Sequence, residues 1–304
     1  MCYNYKYYIE QIPGVHFLKK SNLIILCLLI SIVFIGAFLV SLFGDELNKI
    51  QSEPLQSPES WLETHPYIVI GERVIAEPSS SVIVLILTLI TLWVGLMFIK
   101  NTNRGSHLFW WGISFLLTGT GAGLAGVSYQ AFGYELKCRG LESCLWTSWW
   151  EVTYMLCTVA GVGAAFIGIA YYIFSHKTQM FWLFYAVISS FIYMGVAVMG
   201  TFLANRFLIS FEFMVAFIGV GMAVISIQCL TRYFKEKDFK TARILTIGAG
   251  MAVVISLYFL ALTSNFAAAL WERGIWFNEN DLLHILMIIW VLVVYRLLLQ
   301  TSTE

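Results

Sequence analysis

The chain has 304 residues, 59% of them hydrophobic and 12% charged, with a formal net charge of zero. Soluble domains carry about 25% charged residues, so a mean hydropathy of +0.79 and several apolar runs of membrane-spanning length exclude an ordinary soluble enzyme. No basic stripe or RNA-binding motif is present, which leaves no case for a nucleic-acid partner.

The hydropathy pattern predicts an all-α, polytopic membrane bundle with spans at 22–43, 81–99, 107–131, 146–174, 180–203, 207–230, 243–268 and 281–300. The first span follows Lys6, Lys19 and Lys20. Its apolar run exceeds the roughly 7–15 residues of a signal-peptide core, and no small-residue cleavage pattern follows. It therefore reads as an uncleaved anchor, with residues 1–44 forming a cytoplasmic N-terminus and anchor helix. Residues 45–80 read as an external linker, acidic through Asp45, Glu46, Glu53, Glu59, Glu63, Glu72 and Glu77 and interrupted by Pro54, Pro58, Pro66 and Pro78. Residues 81–304 then form a seven-helix core.

Lysine and arginine set the expected orientation. Lys100 and Arg104 follow the second span, Lys177 the fourth, and Arg232, Lys235, Lys237, Lys240 and Arg243 the sixth. Together with the N-terminal lysines they fall on one side, which the positive-inside rule makes cytoplasmic, so both termini are expected there. A bacterial inner (plasma) membrane is the expected location. Trp110, Trp111 and Trp182 near inner ends, and Trp146, Trp149, Trp150, Trp271 and Trp276 near outer ends, read as interfacial belts. Arg296 can reach the inner interface by snorkelling.

The third span carries GTGAGLAG, Gly119 to Gly126. No strand precedes it, so it reads as a close helix contact through Gly119, Gly123 and Gly126 rather than a phosphate loop. The fourth span repeats the device with Gly161, Ala165 and Gly168. Between these spans, KCRGLESC holds Cys138 and Cys144, two nearby thiols on the oxidising side that read as a structural disulfide. Cys27, Cys157 and Cys229 lie within spans and read as packing residues.

The candidate site is the polar cluster at the outer ends. Ser128 and Gln130 close the third span, Glu151 opens the fourth, Glu212 the sixth, Asn265 lies near the outer end of the seventh, and Asn280, Asp281 and His284 open the eighth. Ionisable groups in a membrane helix mark a functional site by default. Each also has a bland explanation: Glu212 pairing with Arg206, Gln130 gluing helices, Asn280 and Asp281 suiting a helix start, His284 bonding a neighbour. Their joint occurrence favours a ligand pocket of Ser128, Gln130, Glu151, Glu212, Asn265, Asn280, Asp281 and His284. Within it Glu151 and Asp281 are the candidate catalytic groups and His284 the candidate metal ligand.

The segments AEPSSSVIVLILTLITLW (76–93), GAGLAGVSYQAF (121–132), WTSWWEVTYM (146–155) and FNENDLLHILMIIWVLVVYR (277–296) resemble the CREST superfamily of seven-helix membrane proteins. That group includes alkaline ceramidases, progestin/adipoQ receptors and phospholipases that remodel GPI anchors, and the resemblance extends to an uncharacterised bacterial branch. It covers roughly residues 76–300 and leaves the first span outside. It implies a zinc site with one histidine from the second core helix and an HxxxH pair from the seventh. Here Gln130 stands at the first of these positions, Asn280 replaces the first histidine of the pair, His284 matches the second, Gly126 takes the position of a serine, and Glu151 stands for an aspartate. Neutral amides are poor zinc ligands, and His16, His65, His107 and His176 lie elsewhere, so a three-histidine zinc centre is not supported; a divalent metal on His284 and carboxylates stays open.

Two functions are expected from this pattern. The first is a non-catalytic, degenerate relative that keeps an outward-facing pocket for a lipid or small-molecule ligand, with membrane lipid as its partner. The second is a divergent metal-dependent hydrolase of lipid amides or esters, ceramidase-like, in which a metal-bound water attacks the carbonyl. Proton-coupled transport is disfavoured by the lack of ionisable groups along the inner half. Microbial rhodopsin is excluded because the last span has no lysine, and no GxSxG, P-loop or HExxH motif occurs.

Overall fold

The computed structural model describes residues 13–100, 102, 106–264 and 266–299. The chain runs α1 (Pro13–Leu42), α2 (Gly44–Leu47), α3 (Pro58–Thr64), strands β1 (Tyr67–Ile70) and β2 (Arg73–Ala76), α4 (Pro78–Lys100), α5 (His107–Ala125), a π turn (Gly126–Ala131) and α6 (Gly133–Lys137). It continues through α7 (Trp149–Ile173), α8 (His176–Phe202), α9 (Phe211–Glu236), α10 (Phe239–Thr263), α11 (Phe266–Trp271) and α12 (Glu279–Leu299). Eight of these helices are long and apolar enough to cross a membrane. At 1.5 Å per residue each matches or exceeds the roughly 30 Å hydrocarbon layer. Phe34, Phe38, Leu85, Phe191, Ile227 and Phe259 are all exposed, an apolar mantle that suits lipid and not water. The protein is a multi-pass membrane helical bundle.

The centre is α7, which packs against α5, α8, α1, α9 and α10. From α5 the wall continues through α4 to α12 and then α10. The first helix is not a detached anchor: Ile25 and Leu29 join Phe109, Trp110, Leu183 and Ala186 in one buried cluster. Tyr171 Oη donates to Asn22 Oδ1 at 2.8 Å, satisfying one polar atom inside that contact.

Small residues set the helix spacing. Cβ atoms on Gly119, Gly123 and Gly126 of the third span would press on Leu92, Thr88 and Val84, one per turn of α4. Further along the α4–α5 contact, a Cβ on Gly112 would lie 2.7 Å from Ile99 Cγ1 and 3.0 Å from the Gly95 carbonyl oxygen. Gly161 and Gly168 bring α7 equally close to Thr118 and Trp111 of α5. Gly112→Leu should therefore force the α4 and α5 backbones apart and cost about 3 kcal/mol, the upper range for overpacking. Thermal unfolding in detergent would show it as a lowered midpoint, and an unchanged midpoint would contradict the crossing.

The three tryptophans expected in the inner belt, Trp110, Trp111 and Trp182, depart from it. Trp110 and Trp182 are fully buried and Trp111 nearly so, Trp111 and Trp182 packing in the core with Phe98, Phe115 and Phe166 and Trp110 with Phe109 and Ile113. Trp182 Nε1 donates to Gln228 Oε1 at 3.0 Å across the α8–α9 contact, which solves its polar atom without water. A ring near a helix end faces lipid or core according to its helical face, and hydropathy does not see faces.

One end of the bundle is capped. Residues 44–77 do not hang as a linker: they fold onto the loop between α6 and α7, through Ser52 N to Cys144 O (2.9 Å), Cys144 N to Gln56 O (2.8 Å) and Trp146 N to Ile50 O (2.9 Å). The hairpin β1–β2 pairs antiparallel around Gly71, whose φ of +64° is open to glycine and strained for other residues. Glu135 fastens the hairpin by accepting from Val74 N at 2.9 Å while pairing with Arg139 at 2.7 Å. Cys138 and Cys144 form a disulfide within this cap. The opposite end has short connections and carries Lys100, Lys177, Arg232, Lys235, Lys237, Lys240 and Arg243; it is called the basic end below.

Candidate functional site

At the capped end the first candidate group is built on the start of α7. Ser148-x-x-Glu151 has the spacing of a capping box, in which serine would bond the helix and glutamate would bond back. The serine half of the box is missing. Ser148 Oγ is buried with no partner. Glu151, fully buried, reaches the Ser148 backbone and also meets Lys137 at the end of α6, whose Nζ lies 2.9 Å from Oε1. Thr147 Oγ1 donates to Oε2 at 2.8 Å. Lys137 also lies 4.9 Å over the Tyr129 ring, and that ring meets Tyr154 edge-on at 5.8 Å. A buried ion pair is weak evidence for stability, because desolvation offsets most of the attraction.

The second group joins α4 to α12. Here the capping box is complete: Asn278 Oδ1 accepts from Asp281 N at 3.0 Å, and Asp281 Oδ2 accepts from Asn278 N at 2.9 Å. Ser79 donates to Asp281 Oδ2 at 3.0 Å, Ser80 to Asn278 Oδ1 at 3.3 Å, and Asn278 Nδ2 to Glu77 Oε2 at 3.4 Å. One oxygen of Asp281, Oδ1, stays buried and unpartnered, as does Nδ1 of His284 one turn later. Asp281 is thus first a helix cap that also ties α12 to α4.

Glu77, just outside the membrane-spanning part of α4, titrates unusually. Burial raises its carboxyl above the ordinary carboxylate range; the Asn278 amide and Lys137 pull it partly back, and the Asp281 charge adds to the rise. The folded state therefore holds this proton more tightly than the unfolded chain. The stability it contributes is complete below the unfolded value of about 4.3 and is lost as pH rises through the higher folded value. Glu77→Gln keeps an acceptor for Asn278 and removes the charge. It should match the wild type in acid and equal or exceed it near neutrality, as read from unfolding midpoints across pH. A variant less stable at neutral pH would contradict the assignment.

The remaining sequence candidates separate clearly. Gln130 is buried in the π turn with Oε1 unpartnered. The π turn packs on α4, α6, β2 and α7, so the two groups flank it; such turns recur at functional sites. Ser128 donates to its own helix at Leu124 O, 2.9 Å, and is thereby satisfied. Asn280 is half-buried on the face of His284. Glu212 is exposed, and the Arg206 expected beside it pairs with Glu53 while stacking 4.8 Å over Trp146. Asn265 lies outside the described residues. In place of one niche gathering all of these, the structure brings together Glu151 with Lys137, and Asp281 with His284. Lys137, Thr147, Ser148, Asn278, Ser79 and Glu77 were missed as site residues. The N-x-x-D spacing at 278–281 and the S-x-x-E spacing at 148–151 were the available signals.

Among the described residues no group of three His, Cys, Asp or Glu side chains stands close enough to hold a metal ion. His284 has Asp281 alone as an acidic neighbour within its own turn, one ligand short of the usual three for catalytic zinc. Residues 80–302 match the model of a family of unknown function, DUF6962, and the chain belongs to that family. No curated protein and no solved structure matches it.

Proposed function

We propose that this member of the family binds the polar part of a lipid, or a small polar ligand, at its capped end, and does not hydrolyse it. The observation that carries this reading is a pair of orphaned polar atoms beside the start of α7. Ser148 Oγ and Gln130 Oε1 are buried without partners at the end where Glu151 is fully buried and Lys137 nearly so. Buried polar atoms are nearly always satisfied, and each orphan forfeits about 1–3 kcal/mol, so several at one end point to hydrogen bonds that a ligand supplies. A metal-dependent amide or ester hydrolase, the other reading of the sequence, would need ligands beyond His284 and Asp281, and the cap already engages Asp281.

Kinship with the CREST superfamily belongs to this proposal, supported by Gln130, Glu151 and His284 standing at one end of three different helices. So does the orientation, with the capped end outside and the basic end in the cytoplasm of a bacterial inner membrane. The Cys138–Cys144 disulfide at one end and the lysines and arginines at the other support it.

Gln130→Leu tests the binding reading. Replacing an orphaned acceptor by an apolar group of similar size is neutral or stabilising for the fold. Mass spectrometry of purified full-length protein should show a defined polar lipid or small molecule in the wild type, reduced about tenfold or more in the variant, at equal or higher thermal stability. An identical complement of bound molecules in both proteins would remove the proposal.

A further inference from the structure

At the basic end, Tyr172 in the last turn of α7 gathers three nitrogen-bearing side chains from the starts of two other helices. The His107 ring, first in α5, lies 4.6 Å from the Tyr172 ring. Arg243 Nη1 donates to Tyr172 Oη over a long 3.5 Å, and Lys240 Nζ lies 5.7 Å from the ring centroid. Arg243 is only 6% exposed, with its guanidinium 4.5 Å over the Phe239 ring. A guanidinium has five N–H donors, and this one makes no other hydrogen bond among the described residues. Nε2 of His107 is buried without a partner.

Among the described residues no carboxylate balances these charges. Among the described residues, the acids at this end are Glu236 and Asp238, and both pair with Arg232, at 2.6 and 3.1 Å. Asp238 is further engaged in capping α10, accepting from Thr241 N at 2.9 Å and Thr241 Oγ1 at 2.6 Å. Lys240 and Arg243 also sit in the first two turns of α10, where the helix dipole disfavours cations. The tyrosine and phenylalanine faces and the last carbonyls of α7 offset part of this cost. None of them offers the paired oxygens that a planar guanidinium fits.

We infer that Arg243, Lys240 and His107 form a binding site for a phosphate-type oxyanion, at headgroup depth and separate from the capped-end site. Arg243 would take two oxygens of the anion, Tyr172 would hold the guanidinium in place, Lys240 would approach from the surface, and His107 Nε2 would donate. The phosphodiester of an anionic lipid and free phosphate share this chemistry.

Thermal unfolding of the full-length protein in neutral detergent separates the sources, with phosphatidylglycerol, phosphatidylcholine and inorganic phosphate as probes. The site predicts a saturable rise in midpoint with phosphatidylglycerol, with phosphate, or with both, and a much weaker rise with phosphatidylcholine. A response to phosphatidylglycerol alone assigns the headgroup; a response to phosphate alone assigns the free anion. Arg243→Gln should raise the half-saturating concentration roughly ten- to a hundredfold, the effect of one lost charge-assisted pair. Lys240→Gln, at an exposed position, should raise it severalfold and carries the test if Arg243→Gln does not fold. Equal responses to phosphatidylcholine and phosphatidylglycerol, no response to any probe, or half-saturation unchanged in Lys240→Gln and in whichever Arg243 variant folds would overturn the inference.

Discussion

Glu151→Ala is expected to destabilise the protein by about 3 kcal/mol, the largest effect of any single substitution at the capped end. The variant leaves Lys137 buried against the start of α7 without its counter-charge, and breaking a buried pair from one side typically costs about 3–5 kcal/mol. The lower figure applies because Lys137 keeps the Tyr129 face and, on its flexible stem, can swing towards water. Lys137→Ala should cost a similar amount, since it strands the fully buried carboxylate. Replacing both partners, Lys137→Met with Glu151→Leu, should be close to neutral, because two desolvated charges give way to apolar packing. Unfolding of the wild type, Lys137→Met, Glu151→Leu and the double variant in detergent closes a double-mutant cycle, and additive single losses would mean that the pair is not coupled.

Loss of the Cys138–Cys144 disulfide is the second large effect expected. The bond closes a loop of sequence separation 6, for which chain entropy gives about 2 kcal/mol. More than the loop depends on it. Lys137 precedes Cys138, Leu145 N donates to Lys137 O at 2.8 Å, and Ser52 and Gln56 of the cap bond to Cys144. Cys138→Ser with Cys144→Ser, or reduction of the wild type, should therefore lower the unfolding midpoint and loosen the cap, exposing the peptide bonds of residues 50–77 to protease. A midpoint insensitive to reductant would show that the cap holds without the bond.

The bundle was legible because crossing a membrane leaves a signal that composition alone carries. All eight predicted spans correspond to helices in the structure. Their ends are set by caps that hydropathy cannot see. The span expected from 243 begins at Phe239 because Asp238 accepts from Thr241 N. The one expected from 207 begins at Phe211, where Ser210 accepts from Phe213 N at 3.1 Å. That helix then runs past 230 to Glu236 and stops where Lys237 takes a left-handed conformation, φ +47°. The glycine stripes of the third and fourth spans were equally readable, since a missing side chain at helical spacing has one strong meaning in lipid.

The site was half legible. Depth along a span placed Gln130, Glu151, Asp281 and His284 at one end, but depth says nothing about which face of a helix a residue occupies. Glu212 and Ser128 fell at the right depth and proved exposed or bonded to their own helix. Lys137, the partner of Glu151, sits in a short loop helix and not a span, so no membrane argument would select it. The hairpin was present in the sequence as YIVIGERVIA, β-branched runs around a two-residue turn opening on glycine, inside a segment whose prolines and acids suggested a linker.

The central claim, that the buried polar groups of the capped end hold a ligand and do not merely staple the cap, is tested most directly by the Lys137→Met, Glu151→Leu double variant. Both readings leave its stability near that of the wild type, so stability does not decide between them. Mass spectrometry of the purified full-length proteins does. The account predicts that the wild type carries a polar lipid or small molecule that the equally stable double variant lacks. The same molecule retained at the same occupancy by both proteins would contradict it.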